Sequence, residues 1–390
     1  METTEQIINR CRALFEDLNF TAAREWKAAL PGRRVIGFMP IYVPREIVHA
    51  AGMLPIGIFG GGDQLEVIQG DAYYQSYICR IPRSTIELIL TKRLDFVDGM
   101  LFPSICDVIR NLSGMLKMIR PEVYSHYFDI PQNYQDGVGG EYYVNELQEL
   151  RHGLEALGGT AITDHALRNS IAVYNENRDL VNEFYAMRAR QPWKIPATEA
   201  YLLTRAGMLM PVEDHNRMMR AYMSAAAAEE RPRRDNCRII LSGMFCEQPP
   251  LNLIKSIELA GCYVVNDDFM LINRWLTREV PVDGDPIRNL ALTFLHHSVK
   301  TSATFEPREQ DKGKYLVDAV RSSGAEGVIF AAPSFCDPAL LERPMLQDAL
   351  NEAGVPYIAF KYSENSGQMQ PIREQAGTFA DSIKLWGEHA

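Results

Sequence analysis

The stretch Phe102-Pro103-Ser104-Ile105-Cys106-Asp107 occurs twice in this chain: a second copy reads Ala332-Pro333-Ser334-Phe335-Cys336-Asp337, with Pro, Ser, Cys and Asp at a constant offset. Each copy follows a short apolar run, Phe96-Val-Asp-Gly-Met-Leu-Phe in the first and Gly327-Val-Ile-Phe-Ala in the second, that reads as a buried strand. Each precedes a helical pattern, over 108–119 and 338–353. A cysteine between strand and helix belongs at the carboxyl edge of a parallel sheet, where open α/β folds gather their ligands. The Asp after it is expected to cap the helix, and the helix start is expected to lower the pKa of the thiol. Two equivalent strand ends, each carrying a thiolate, suggest one shared soft-metal site.

Outward from the two copies, the same alternation continues. Strands are expected at 34–39, 52–59 and 122–128 in the first half, and at 239–244, 263–265 and 356–360 in the second, with helices between them, so the chain reads as a duplicated, doubly wound parallel fold. Between about 141 and 230 the strand signal disappears, and Leu147, Leu150, Leu154 and Leu157 continue one helical face. The expected organisation is an N-terminal helix over 1–30, a first α/β domain over 31–140, a helical domain over 141–234 and a second α/β domain over 235–390. The stretch 73–79 is aromatic and fits neither period. Gly60-Gly61-Gly62-Asp63 lacks the spacing of a phosphate loop and reads as a surface turn.

Composition narrows the function. With 390 residues, 46% apolar and 23% charged, the chain can bury a large interior across two or three domains. A net charge of −10 argues against nucleic acid as the main partner. The acidic start, Met1-Glu-Thr-Thr-Glu-Gln, lacks the apolar core of a leader, and no stretch approaches the eighteen or so apolar residues of a membrane span, so a cytoplasmic chain is expected. Seven cysteines, an odd number, do not read as a disulfide framework. Cys11, Cys237 and Cys262 read as small buried hydrophobes; Cys79, Cys106, Cys246 and Cys336 each lie near a turn of the α/β pattern. Thiolates suit iron–sulfur clusters, zinc or copper, but no Cys-x-x-Cys pair is present, so iron–sulfur, zinc and a structural pair of buried thiols all stay open on pattern alone.

Gly99-Met-Leu-Phe-Pro-Ser-Ile-Cys106-Asp107 with Asn111-Leu112, the earlier Cys79-Arg80, and Phe335-Cys336-Asp337-Pro338 resemble the family of 2-hydroxyacyl-CoA dehydratase D-components and benzoyl-CoA reductases. The resemblance spans nearly the whole chain and is strongest to the smaller, cluster-carrying subunits of the ATP-dependent reductase branch. It implies two flavodoxin-like parallel-sheet domains joined by a helical segment, and one [4Fe-4S] cluster held by three cysteines. By motif these are Cys79, Cys106 and Cys336; Cys79 departs from the family pattern in being followed by Arg80-Ile81-Pro82. Cys246, at a strand end equivalent by duplication to the Met39-Pro40 turn, is a candidate fourth ligand. The resemblance further implies a subunit of an ATP-dependent, ferredoxin-driven benzoyl-CoA reductase, working with a homologous cluster-carrying subunit, ATP-hydrolysing activator subunits and an acyl-CoA substrate. A dehydratase subunit and a non-catalytic electron relay are the alternatives. Three thiolates would leave an iron open, whereas four would favour relay. His126 and His296-His297 are candidate proton donors and Asp267, Asp268 and Glu247 candidate caps, each reading more readily as structural. Lys92-Arg93, Arg231–Arg234 and Lys300 are the basic groups available to coenzyme A phosphates.

Overall fold

The computed structural model describes residues 2–243, 249–299, 313–363 and 369–386. Eight short strands form two four-stranded sheets. The first contains β1 (Val35–Phe38), β2 (Leu54–Gly57), β3 (Gly99–Pro103) and β4 (Tyr124–Phe128); the second contains β5 (Cys237–Ser242), β6 (Cys262–Asp267), β7 (Gly327–Pro333) and β8 (Tyr357–Tyr362). Their orders are β2-β1-β3-β4 and β6-β5-β7-β8, every pairing parallel. One flavodoxin-like topology is thus built twice. The central strands β1, β3 and β7 are buried along their whole length, as continuous apolar runs covered on both faces must be. The edge strands β4 and β8 are partly open.

The region between the sheets is helical, with Glu141–Gly158, Asp164–Arg190, Ala197–Ala206 and Val212–Ala228. The N-terminal segment is two helices rather than one, Thr4–Glu16 and Thr21–Ala28, broken at Phe20, whose φ is 55°. The first packs on Ala197–Ala206 and Val212–Ala228. One continuous apolar cluster runs from this layer through both sheets, and a smaller one lies between β7 and helix Lys314–Ser323.

Helix Asp164–Arg190 touches both halves and fixes them electrostatically. Arg178 donates to Glu46 on helix Arg45–Ala50 at 2.6 Å, and Arg188 pairs with Asp267 at the end of β6. Ten residues separate the two arginines, about 15 Å along the helix. No described helix is long and apolar enough to cross a membrane.

Candidate functional site

The three cysteines singled out by motif share one structural position. Cys79, Cys106 and Cys336 are the N-cap residues of helices Arg80–Leu90, Asp107–Ile119 and Asp337–Glu352. For Cys106 and Cys336 this corrects the expected capping: Asp107 and Asp337 stand in the first turn, where a carboxylate favours the helix dipole, and the cap position falls to the thiol. At Cys79 the helix carries Pro82 in its first turn, which tolerates it because those amides have no intrahelical partner.

Beyond β3 and β7, the duplicated turns are held alike. The amide of Ser104 donates to Phe128 O at 3.1 Å, and that of Ser334 to Tyr362 O at 2.7 Å, each extending the ladder to the neighbouring edge strand. The copies differ at the residue before the cysteine. Ile105 is buried, whereas Phe335 is half exposed with a φ of 67°, an unusual conformation for an aromatic residue. Cys336 is buried; Cys79 and Cys106 are half-buried.

The fold brings Cys106 and Cys336 into electrostatic reach. Burial pushes the Cys106 thiol up, the amides of Val108 and Ile109 pull it back, and the charge of Cys336 raises it further. The net direction is upward, opposite to the lowering expected from the helix start: desolvation outweighs the amides, which face the sulfur without an ordinary capping bond. Tyr74 joins the third thiol to these two. Burial raises its pKa most, then the charges of Cys79 and Cys106, so its hydroxyl stays a protonated donor.

The loop leading to Cys79 is stapled to the helix that follows. Glu87, itself buried, accepts the amides of Ile68, Gln69 and Gly70 at 2.9, 2.6 and 2.8 Å, and Arg83 holds Asp71 at 2.7 Å. Gly60, Gly61 and Gly62 are buried here rather than forming a surface turn. A Cβ on Gly60 would lie 2.2 Å from Ser84 Oγ, and Gly61 N donates to that same oxygen.

Beside Cys106 opens a cavity of about 610 Å³, lined by Cys106, Asp107, Arg110, Tyr127, Asp129 and Tyr142 among others. Arg110, which sequence reading missed, lies one turn past Cys106 on the same helix face; its Nε–H meets the Tyr127 hydroxyl at 3.4 Å. The i+4 spacing from the cysteine was the available signal. A second cavity, about 460 Å³, lies at the end of β5 and β6. There Asp267 accepts from Arg188 and from the Tyr185 hydroxyl (2.8 Å), while Asp268 accepts Ser242 Oγ and Gly243 N at 3.0 and 2.7 Å. Both carboxylates are engaged in holding the strand end.

The other candidates disperse. His126 is stacked between Tyr124 and Phe128 at 5.9 and 6.0 Å, on the face of β4 opposite Tyr127, and burial lowers its pKa. His296 pairs with Asp136 at 2.6 Å. Arg231 is occupied by Glu199 and Glu229, and Lys92-Arg93 lie past the far end of the helix that Cys79 opens. Cys11, Cys237 and Cys262 are fully buried, as expected of packed thiols, with Cys11 and Cys262 pushed up to about 12 by desolvation. Cys246, Glu247 and Lys300 lie outside the described residues.

Among the described residues, no group of three or more His, Cys, Asp or Glu surrounds one point as a single ion requires. Cys79, Cys106 and Cys336 are half-buried or buried thiols on separate helix starts, and thiolates are the ligands that iron–sulfur groups take.

Twin parallel sheets with thiols at two matching strand ends define an α/β protein of duplicated flavodoxin-like topology. The chain belongs to the family of the 2-hydroxyglutaryl-CoA dehydratase D-component, whose model matches residues 40–383. It is 68% identical over 384 residues to one of the benzoyl-CoA reductase subunits of Thauera aromatica, covering 98% of this chain and 100% of that one. It is 26% identical over 352 residues to the (R)-phenyllactyl-CoA dehydratase beta subunit of Clostridium sporogenes (90% and 92% covered). To the beta subunit of the (R)-2-hydroxyglutaryl-CoA dehydratase of Acidaminococcus fermentans it is 28% identical over 359 residues (90% and 93%).

Proposed function

We propose that this chain is a subunit of a benzoyl-CoA reductase, an oxidoreductase of several subunits, and that Cys79, Cys106 and Cys336 hold one [4Fe-4S] cluster. The observation that carries this is a 68% identity to a benzoyl-CoA reductase subunit along the whole length of the chain, and Cys106 and Cys336 at equivalent helix starts of the two halves support the site. The proposed partners are a homologous cluster-carrying subunit, ATP-hydrolysing activator subunits and ferredoxin, with an acyl-CoA as substrate, in an anaerobic cytoplasm. We propose the division of the chain at residues 30, 140 and 234 from the element order, in which four helices stand between the two sheets.

When bound, the cluster would supply electrons singly and at low potential. The chain's own residues do the rest. Val108 and Ile109 turn their amides toward the Cys106 sulfur, stabilising negative charge there. Buried Cys336 and the apolar strand ends exclude water from one side of the thiols. Glu87 fixes the loop that presents Cys79.

A second reading, electron relay to a partner subunit that binds the ring, is favoured by the cavity beside Cys106. Asp107, Arg110, Asp129, Gln132 and Asn133 line it beside the apolar Ile105, Ile130, Pro131 and Val138, and an aromatic radical anion needs a drier wall than the first set gives.

Iron and acid-labile sulfide analysis with Mössbauer spectra, on the anaerobically purified complex and its Cys→Ser variants, tests the site. About four irons per chain are expected, lost in Cys106→Ser and Cys336→Ser and kept in Cys11→Ser. A colourless, iron-free wild-type preparation would end the proposal. Assaying ring reduction against dehydration of a 2-hydroxyacyl thioester separates the reductase from its dehydratase relatives.

A further inference from the structure

The Tyr74 hydroxyl is buried and has no hydrogen-bond partner among the described residues, a costly state for a hydroxyl that stays orphaned. Its ring packs against the same apolar cluster as Cys106, and it precedes Cys79 by five residues on the loop that Glu87 anchors. Loop anchoring and core packing therefore hold an idle donor five residues from Cys79, in the apolar layer that Cys106 also packs against. Such a group is explained if its acceptor arrives with a ligand, and the acceptors that arrive with metallated thiols are sulfur atoms.

We propose that Tyr74 donates a hydrogen bond to the sulfur of the bound cluster or of its Cys79 or Cys106 attachment, and so sets the reduction potential as a positioning residue. This rests on the reading that these cysteines hold a cluster. A donor to sulfur stabilises the reduced, more negative state and raises the potential; removing it lowers the potential. A charge-assisted bond of this kind stabilises one state over the other enough for about a tenfold change in the reduction equilibrium, ~59 mV for one electron.

The test is an EPR-monitored redox titration of the anaerobic complex carrying Tyr74→Phe, with iron and sulfide content measured alongside. The expected result is full cluster content with a more negative potential. It is accompanied by loss of one exchangeable-proton hyperfine coupling, seen in wild type by deuterium exchange. Full content with unchanged potential and an unchanged proton coupling overturns the proposal. Should Tyr74→Phe assemble poorly, 3-fluorotyrosine at position 74 keeps the ring and strengthens the donor, and the potential is expected to move upward; no movement is again a refutation. If wild type itself holds no iron, the cluster assignment has failed and takes this proposal with it, an outcome visible before any Tyr74 variant is made.

Discussion

Cys106 and Cys336 occupy one and the same position in two copies of a strand–turn–helix unit, and they lie near enough for the charge of Cys336 to raise the pKa of Cys106. Two sheets of identical topology produce that meeting without any local cysteine motif. A pairing of this kind leaves no short spacing in the chain to read, only the repeat itself.

Exposure should order the chemistry of the thiols once metal is removed. In chelator-treated chain under anaerobic conditions, Cys79 and Cys106 are expected to alkylate before Cys11, Cys237 and Cys262, which are 0 to 1% exposed. Peptide mass spectrometry over a time course reads the order. Equal rates for Cys106 and Cys262 would contradict the placement of Cys106 at a cavity wall.

The pair Arg188–Asp267 is wholly buried, with side chains 0% and 1% exposed, and Asp267 also takes the Tyr185 hydroxyl. Asp267→Asn is expected to cost about 3–5 kcal/mol, because it leaves an uncompensated guanidinium in the interior. Replacing both partners with apolar residues of similar volume should recover most of that loss. Equilibrium denaturation of the two variants distinguishes a structural lock from a group held ready for chemistry: a large activity loss in a stable double variant would point to the latter.

Glu87 is expected to control the loop that carries Tyr74 and Cys79. Its carboxylate takes three amides at once, and Glu87→Ala should cost roughly 2–4 kcal/mol of local stability, with bonds to a charged acceptor at the strong end of the range. Hydrogen exchange at Ile68, Gln69 and Gly70 should quicken while that in β1 and β3 does not. Gly70→Ala should act in the same place by collision, since its Cβ would meet Arg83 O at 2.1 Å.

All eight strands were legible because most are short apolar runs closed by Gly, Pro or an acidic residue, and central parallel strands tolerate little else. The duplicated Pro-Ser-x-Cys-Asp was legible for the same reason: turn chemistry is local. What escaped was decided by tertiary contact. Cap assignment went to Asp107 by propensity, whereas Asp107 already stands in the first helical turn and extended backbone at Cys106 takes the cap. Gly60–Gly62 read as surface because nothing nearby in sequence shows helix Arg80–Leu90 lying over them. Tyr74 sits in a stretch of turns, Gly70–Ala72 and the residues after it, with no period to betray which face is inward. Arg231, basic and within a basic run, was already claimed by Glu199 from a helix thirty-two residues away.

The acid limb of stability should belong in good part to His215. The ring is buried among Asn177, Asn216 and the carbonyl of Leu203: Asn177 donates to Nδ1 at 2.8 Å, and Nε2–H donates to Leu203 O at 3.1 Å. Both nitrogens are therefore satisfied in the neutral ring, and a second proton would displace the Asn177 bond. Burial accordingly lowers its pKa from 6.5 to about 4, with Arg45 adding to the depression and the Leu203 bond opposing it. The unfolded chain binds a proton below about 6.5 that the folded chain refuses until about 4, so stability is full above the unfolded value and falls as pH drops through that window. The whole loss from this ring is about 3 kcal/mol at order-of-magnitude accuracy. Denaturation midpoints measured between pH 7 and 4.5 should fall in wild type and fall less steeply in His215→Gln. The variant starts lower because the site is closely packed: a Cβ added at Gly207 would lie only 2.6 Å from the ring. Parallel curves for the two proteins would assign the acid sensitivity to other groups.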